Sequence, residues 1–185
     1  MVTRSNGHRL TVMSILDHLT IRLARPSDAA SISSFSAAMA LETENLHLDL
    51  DRLQAGTAAL LDSPNHGFFM VAELEQSGRQ LLLGQLMITY EWSDWRNGVF
   101  WWIQSVYVDQ SWRRQSVFRR MHEAMMARAK ASPNVCGVRL YVEQSNSTAQ
   151  AVYRRMGLVP SSYAIFQTDF ILGSQKGLED RPNEA

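Results

Sequence analysis

The stretch VYVDQSWRRQSVFRRM, residues 106–121, puts a strand-like run, a donor-rich turn and a helix start in immediate succession. A helix N-terminus presents backbone N–H groups without intrahelical partners and carries a partial positive charge, so such a junction is suited to hold an anion. Arg113 and Arg114 add two full charges there, and a pyrophosphate is the ligand this turn suits best. Taken without its flanks, WRRQ also reads as a solvated basic turn. A second group lies in YEWSDWRNG, where Glu91 and Asp94 stand among Trp92 and Trp95, with Trp101 and Trp102 following. If Trp92, Trp95 and Trp101 converge, the apolar setting raises a carboxylate pKa toward the range of a general base. The same rings could hold a cationic amine by cation-π attraction, with Glu91 or Asp94 as counter-charge. Hairpin packing is the alternative reading. The histidines at 8, 18, 47, 66 and 122 have no metal-ligand spacing and the single cysteine, Cys136, forms no cluster with them, so no metal is expected. Neither a Gly-x-Ser-x-Gly elbow nor a P-loop is present.

These residues need elements to position them. LTIRLA (19–24) alternates apolar and polar residues as a strand does, RPSD supplies turn chemistry, and AASISSFSAAMALE follows as a helix. Leu50, Leu53, Thr57, Leu60 and Leu61 recur at helical spacing within 48–61. FFMVAEL (68–74) and LLLGQLMITYEW (81–92) are β-rich runs separated by the hairpin signal EQSGRQ, and VFWWIQSVYVD (99–109) is a third. From Ser116 the period turns helical, with Val117, Met121, Ala124 and Met125 on one face. GVRLYVE (137–143) is a further strand, Ser145, Asn146 and Ser147 offer cap chemistry for the short helix TAQAVYRRM, and Gly157 ends it. YAIFQTDF (163–170) reads as a last strand. The order β-α-α-β-β-β-α-β-α-β predicts one mixed α/β domain at 19–172, with a mostly antiparallel central sheet flanked by about four helices. Residues 1–18 read as a weakly ordered extension and 173–185 as a polar tail.

With these motifs in register, the chain resembles the GNAT superfamily of N-acetyltransferases. That family's cofactor-binding turn reads Arg/Gln-x-x-Gly-x-Gly/Ala after a strand ending in valine; here Val108 ends the strand and Arg113 takes the first position. Ser116 and Phe118 fall where two small residues are usual. Serine at 116 keeps its backbone N–H, so the turn still binds provided that the site avoids positive φ there. The second motif is LYVEQSNSTAQAVYRRMGL, similar to the family's strand-Asn-x-x-Ala-x-x-x-Tyr-x-x-x-Gly-Phe pattern, with Asn146, Ala149, Tyr153 and Gly157 in register. The resemblance implies that acetyl-CoA is the co-substrate, held by Val106, Tyr107, Val108, Arg113, Arg114, Gln115, Ser116, Val117, Phe118, Asn146 and Tyr153. It implies that the pantetheine arm pairs with the strand ending at Val106–Val108 and that a backbone amide there polarises the thioester. Tyr153 is then placed to protonate the departing thiolate, a role suited to a phenol that keeps its proton at neutral pH. Several relatives carry a glutamate where this chain has Gln104, and an amide cannot serve as a base. Glu91, Asp94 and Tyr107 remain the candidates for taking the amine's proton.

The implied activity is transfer of an acetyl group to a primary amine by direct attack in a ternary complex. The acceptor is a small polyamine- or amino-acid-like molecule or a protein amine, and the sequence does not separate these. Glu42, Glu44, Asp49 and Asp51, in LETENLHLDLD, line an acceptor site or form a solvated face. The competing reading is a regulatory module that binds acyl-CoA without turnover. Lysine plus arginine and aspartate plus glutamate each number 18, so no global field draws the protein to nucleic acid or an anionic membrane. No apolar run approaches a bilayer span and no signal peptide is recognisable, which predicts a cytoplasmic protein. The lone Cys136 reads as a buried small hydrophobe, and the resemblance implies a homodimer.

Overall fold

Phe69 to Leu74 are buried without interruption in the strand Gly67–Gln76. A run without alternation is what a strand covered on both faces requires. The computed structural model describes residues 18–76 and 78–171; most of the expected N-terminal extension and all of the polar tail lie outside the described residues. Five strands, β1 (Leu19–Leu23), β2 (Gly67–Gln76), β3 (Arg79–Ser93), β4 (Gly98–Val108) and β5 (Val135–Leu140), form one sheet in the order of the chain. The first three pairings are antiparallel and β4–β5 is parallel. Helices α1 (Ala29–Glu44), α2 (Leu50–Asp62), α3 (Val117–Ala131) and α4 (Ser147–Arg155) complete the fold. This is the mixed, mostly antiparallel α/β architecture expected.

One core joins α3 to the sheet, with Val117, Met121, Met125 and Ala129 against Met70, Leu83, Leu86, Ile88, Trp101 and Ile103. The other joins Ile32 of α1 and Leu60 of α2 to Phe69 and Val71. The second face also carries polar ties: Ser33 Oγ donates to Thr57 Oγ1 at 3.1 Å, and Gln85 Nε2 to Ser36 Oγ at 3.1 Å. At the start of α1 the Arg22 guanidinium is held by Asp28, 2.7 Å away, and by Glu73, fastening β1, β2 and the helix entry together. Both carboxylates are buried, and a buried carboxylate persists when it is paired and hydrogen-bonded in this way.

Asp49 caps α2 by accepting the Arg52 N–H at 3.1 Å, and Asp51 lies in that helix's first turn, where negative charge favours the dipole. That accounts for two members of the acidic run as helix-start residues. Cys136 is half-buried on β5, less enclosed than expected. Among the described residues no helix is long and apolar enough to cross a membrane.

The chain separates into two compact units between Tyr141 and Val142. In the second unit, Asn146 Oδ1 accepts the Ala149 N–H at 2.9 Å as the cap of α4. Gly157 at φ 87° ends that helix, a conformation in which a Cβ would cost energy. The strand expected at 163–170 does not form. Tyr163, Phe166 and Phe170 are exposed there, Phe166 by 94%. Alternation can only mark a face that could be buried; a strand also needs a neighbour for its backbone groups, and these residues enter no ladder.

Candidate active site

β4 delivers the chain into the turn that the sequence marked as an anion site. Asp109 Oδ1 accepts the Ser111 N–H at 2.9 Å and its own N–H donates to the Leu83 carbonyl at 2.8 Å, so the exit from the strand is fixed on both sides. Arg114 and Ser116 then take left-handed backbone conformations, φ 61° and 65°, and α3 begins at Val117. The condition of avoiding positive φ at 116 is therefore not met. The turn keeps its sharp reversal, and each side chain there costs roughly 1–2 kcal/mol that glycine would not.

Glu42, at the end of α1, braces the approach to the turn. Its Oε1 accepts from the Tyr107 hydroxyl at 2.8 Å and from Gln110 Nε2 at 2.9 Å, and its Oε2 accepts from Arg113 Nη2 at 2.6 Å. Arg113 also donates through Nε to the Val108 carbonyl at 2.9 Å and lies over the Tyr107 ring. Hydrogen bonds from Arg113, Gln110 and Tyr107 hold the Glu42 carboxyl below its ordinary range. Burial and the bond to Glu42 push the Tyr107 phenol up. Tyr107 thus spends its proton on Glu42, and the Arg113 guanidinium faces α1 as a brace for the turn. The sequence offered no local signal for this clamp, because Glu42 and Arg113 are 71 residues apart.

Upstream of the turn, Met87 pairs with Ser105 and Ile88 with Ile103, which makes Gln104 the extra residue of a β-bulge. Its Nε2 donates to Thr89 Oγ1 at 2.7 Å. β4 pairs with β5 only from Val99↔Val135 to Ile103↔Leu140, yet runs on to Val108. Among the described residues Ser105–Val108 are consequently paired to β3 alone. Their second edge is a backbone ladder of the kind an extended ligand can join, and it leads directly into the donor turn.

The aromatic group disperses. Trp92 and Trp95 are 61% and 85% exposed, whereas Trp101 is buried beneath α3 and meets Phe68 edge-on at 4.9 Å. Trp101 and Trp102 are neighbours in a strand and so point to opposite faces. Asp94 opens the tight turn 94–96 at the far end of β4, roughly 20 Å from Gln104 at about 3.3 Å per strand residue. Glu91 is engaged by Arg139 Nη1 at 2.5 Å. Neither carboxylate sits in an apolar pocket beside the β4 opening. A cleft of about 530 Å³ lies against Ser27, Ser31, Phe35, Leu82 and Asp109, on the α1 side of the strand exit, and its Asp28 and Glu73 are committed to Arg22.

In the second unit Tyr153 lies on α4 and is partly buried. Burial pushes its phenol above the ordinary value of 10, so the proton stays in place at neutral pH.

The comparisons bear on what such an arrangement does. The model of the Acetyltransferase (GNAT) family matches residues 34–158. A search among curated proteins returns no match. Among solved structures, a possible acetyltransferase from Clostridium difficile 630 is 38% identical, with a TM-score of 0.77 over 83% of this chain and 98% of that one. An aminoglycoside N-acetyltransferase in complex with CoA is 14% identical, with a TM-score of 0.65 over 83% of this chain and 95% of that one. An aminoglycoside acetyltransferase from an uncultured soil metagenomic sample, in complex with sisomicin, is 18% identical, with a TM-score of 0.62 over 83% and 98%. At those two identities the likeness is one of fold.

Proposed function

This chain belongs to the GNAT acetyltransferase family, and from that premise we propose that it moves the acetyl group of acetyl-CoA to a primary amine by direct attack in a ternary complex. The observation that carries the proposal is the second edge of Ser105–Val108, unpaired among the described residues and running into the donor turn at the start of α3. An acyl-pantetheine arm needs a ladder to lie along and its pyrophosphate needs backbone donors, and the two occur here in that order. The co-substrate supplies an acyl group already activated as a thioester. Val106, Tyr107 and Val108 offer backbone groups to the arm, and an amide of this strand polarises the carbonyl. Backbone N–H groups from Arg114 to Phe118 receive the pyrophosphate, with the turn braced by Arg113 and Glu42. The Asn146 side chain contacts the arm at the head of α4.

The neutral amine attacks the carbonyl carbon, the carbon–sulfur bond breaks, and Tyr153 gives its proton to the sulfur and regains one from solvent. Gln104 on the β4 bulge and its β3 partner Thr89 hold no base, so the amine's own proton passes to water. The domain doing this work is 19–172. Tyr153→Phe tests the assignment: kcat should fall by about two orders of magnitude while the dissociation constant for acetyl-CoA stays within about two-fold. Equal losses in both would make Tyr153 a packing residue.

A further inference from the structure

Beside the β4 opening, on the sheet face that carries Thr89 and Gln104, two rows of residues cross the strands. Thr89, Trp102 and Arg139 form one row, and Glu91, Phe100 and Gly137 form the next. Gly137 has no Cβ because the Phe100 ring lies over it; a Cβ would stand 2.5 Å from Phe100 Cε1. The ring is thereby laid down as a platform. The Arg139 guanidinium stacks 3.7 Å from the Phe100 ring centroid, and Arg96 stacks on the same ring at 5.1 Å. Trp102 packs on Tyr141 with centroids 4.4 Å apart, and its buried indole N–H has no hydrogen-bond partner among the described residues. The patch carries two guanidinium groups, with Glu91 as its one carboxylate among the described residues of these rows.

We propose that this patch is the acceptor's second recognition point and that the acceptor is an amine that also carries a carboxylate, received by Arg139; the proposal rests on the acetyltransferase reading. A stacked guanidinium is a planar fork held in orientation, which suits a carboxylate better than it suits a simple counter-charge. Its ion pair with Glu91 is partly exposed, at 2.5 Å with side-chain exposures of 36% and 43%, and an exposed pair contributes so little that Arg139 can give it up for a carboxylate brought by the acceptor. A polycation would meet two guanidinium groups here, and like charges oppose it.

Reach sets the kind of acceptor. Along β4 the two rows lie on the order of 7 to 13 Å before Gln104, at about 3.3 Å per residue. An amine at the opening therefore reaches the patch only when a carbon chain separates it from its carboxylate. The ω-amine of a diamino acid, or an ω-amino acid, has that form; an α-amine beside its own carboxylate does not.

The test uses the full chain saturated with acetyl-CoA and matched amines that differ in one carboxylate: L-lysine against cadaverine, and 6-aminohexanoate against hexylamine. Release of CoA thiol is followed at varied amine concentration. The expected result is kcat/KM at least about ten-fold higher for the carboxylated member of each pair, expressed mainly in KM. Arg139→Ala should erase that advantage and Arg139→Lys should retain part of it, with acetyl-CoA affinity unaltered in both. Equal or better use of cadaverine and hexylamine, an advantage that survives Arg139→Ala, or failure of both carboxylated amines while other amines are acetylated would each overturn the proposal. Failure to bind acetyl-CoA at all would overturn the acetyltransferase reading beneath it.

Discussion

Two residues set the character of this turn. Ser116 occupies a left-handed conformation at φ 65°, where the family pattern has glycine, so the chain carries a local strain that its fold sustains. Ser116→Gly should relieve about 1 kcal/mol and raise the melting temperature by roughly 2–4 °C for a chain of this size. A thermal melt of the two proteins checks it, and no gain would mean that the turn is not strained at 116. Glu42 works from the other side, gathering Tyr107, Gln110 and Arg113 into one network. Glu42→Gln leaves an acceptor for the phenol but sets an amide against the guanidinium. The pair with Arg113 is partly exposed, so its contribution is discounted to about 1 kcal/mol. That corresponds to roughly five-fold weaker acetyl-CoA binding, measurable by calorimetry; an unchanged affinity would detach Glu42 from the site. The residues of the turn were legible in the sequence because they are consecutive. Their brace was not, because a clamp across 71 positions leaves no local spacing.

At the scale of elements, β4 is the organising strand. Its bulge at Gln104 and the end of its pairing at Ile103 open the edge that leads to the turn. Gly84 secures the last stretch of that strand: it pairs with Val108, and a Cβ there would lie 2.5 Å from the Tyr107 carbonyl oxygen. Backbone cannot step aside as a side chain can, so Gly84→Ala should cost about 1–3 kcal/mol, read as a lower urea midpoint; an unchanged midpoint would contradict this register. Periodicity revealed β1 to β4 and the helices α2 and α3, whose buried faces carry the spacing of their geometry, whereas α4, with no buried residue, was legible through its Asn146 cap and Gly157. Periodicity overreached at 163–170, where apolar alternation is present and a pairing strand is not. The tryptophans misled for a related reason: abundance in sequence says nothing about which face each ring takes, and Trp101 and Trp102 divide between the two.

Over the whole molecule, equal numbers of basic and acidic residues leave selectivity to local groups, and the pH response follows the same logic. His122 is buried in α3 with its Nε2 unpartnered among the described residues, and burial, partly offset by Glu123, holds its imidazole below the ordinary 6.5. The folded protein keeps this ring neutral while the unfolded chain takes up a proton below 6.5. Its contribution to stability is therefore complete above that value and is lost as pH falls through the lower folded one. His122→Phe should flatten the decline in melting temperature between about pH 7 and pH 5; an identical slope in both proteins would assign the decline to other groups. The central claim concerns transfer itself, and its most direct test is calorimetric titration with acetyl-CoA, followed by release of CoA thiol when the saturated protein meets a panel of primary amines. Saturable binding with release that depends on the amine is the predicted result. Binding without release for any amine would leave a module that holds acyl-CoA without turnover, and absence of binding would contradict the account at its root.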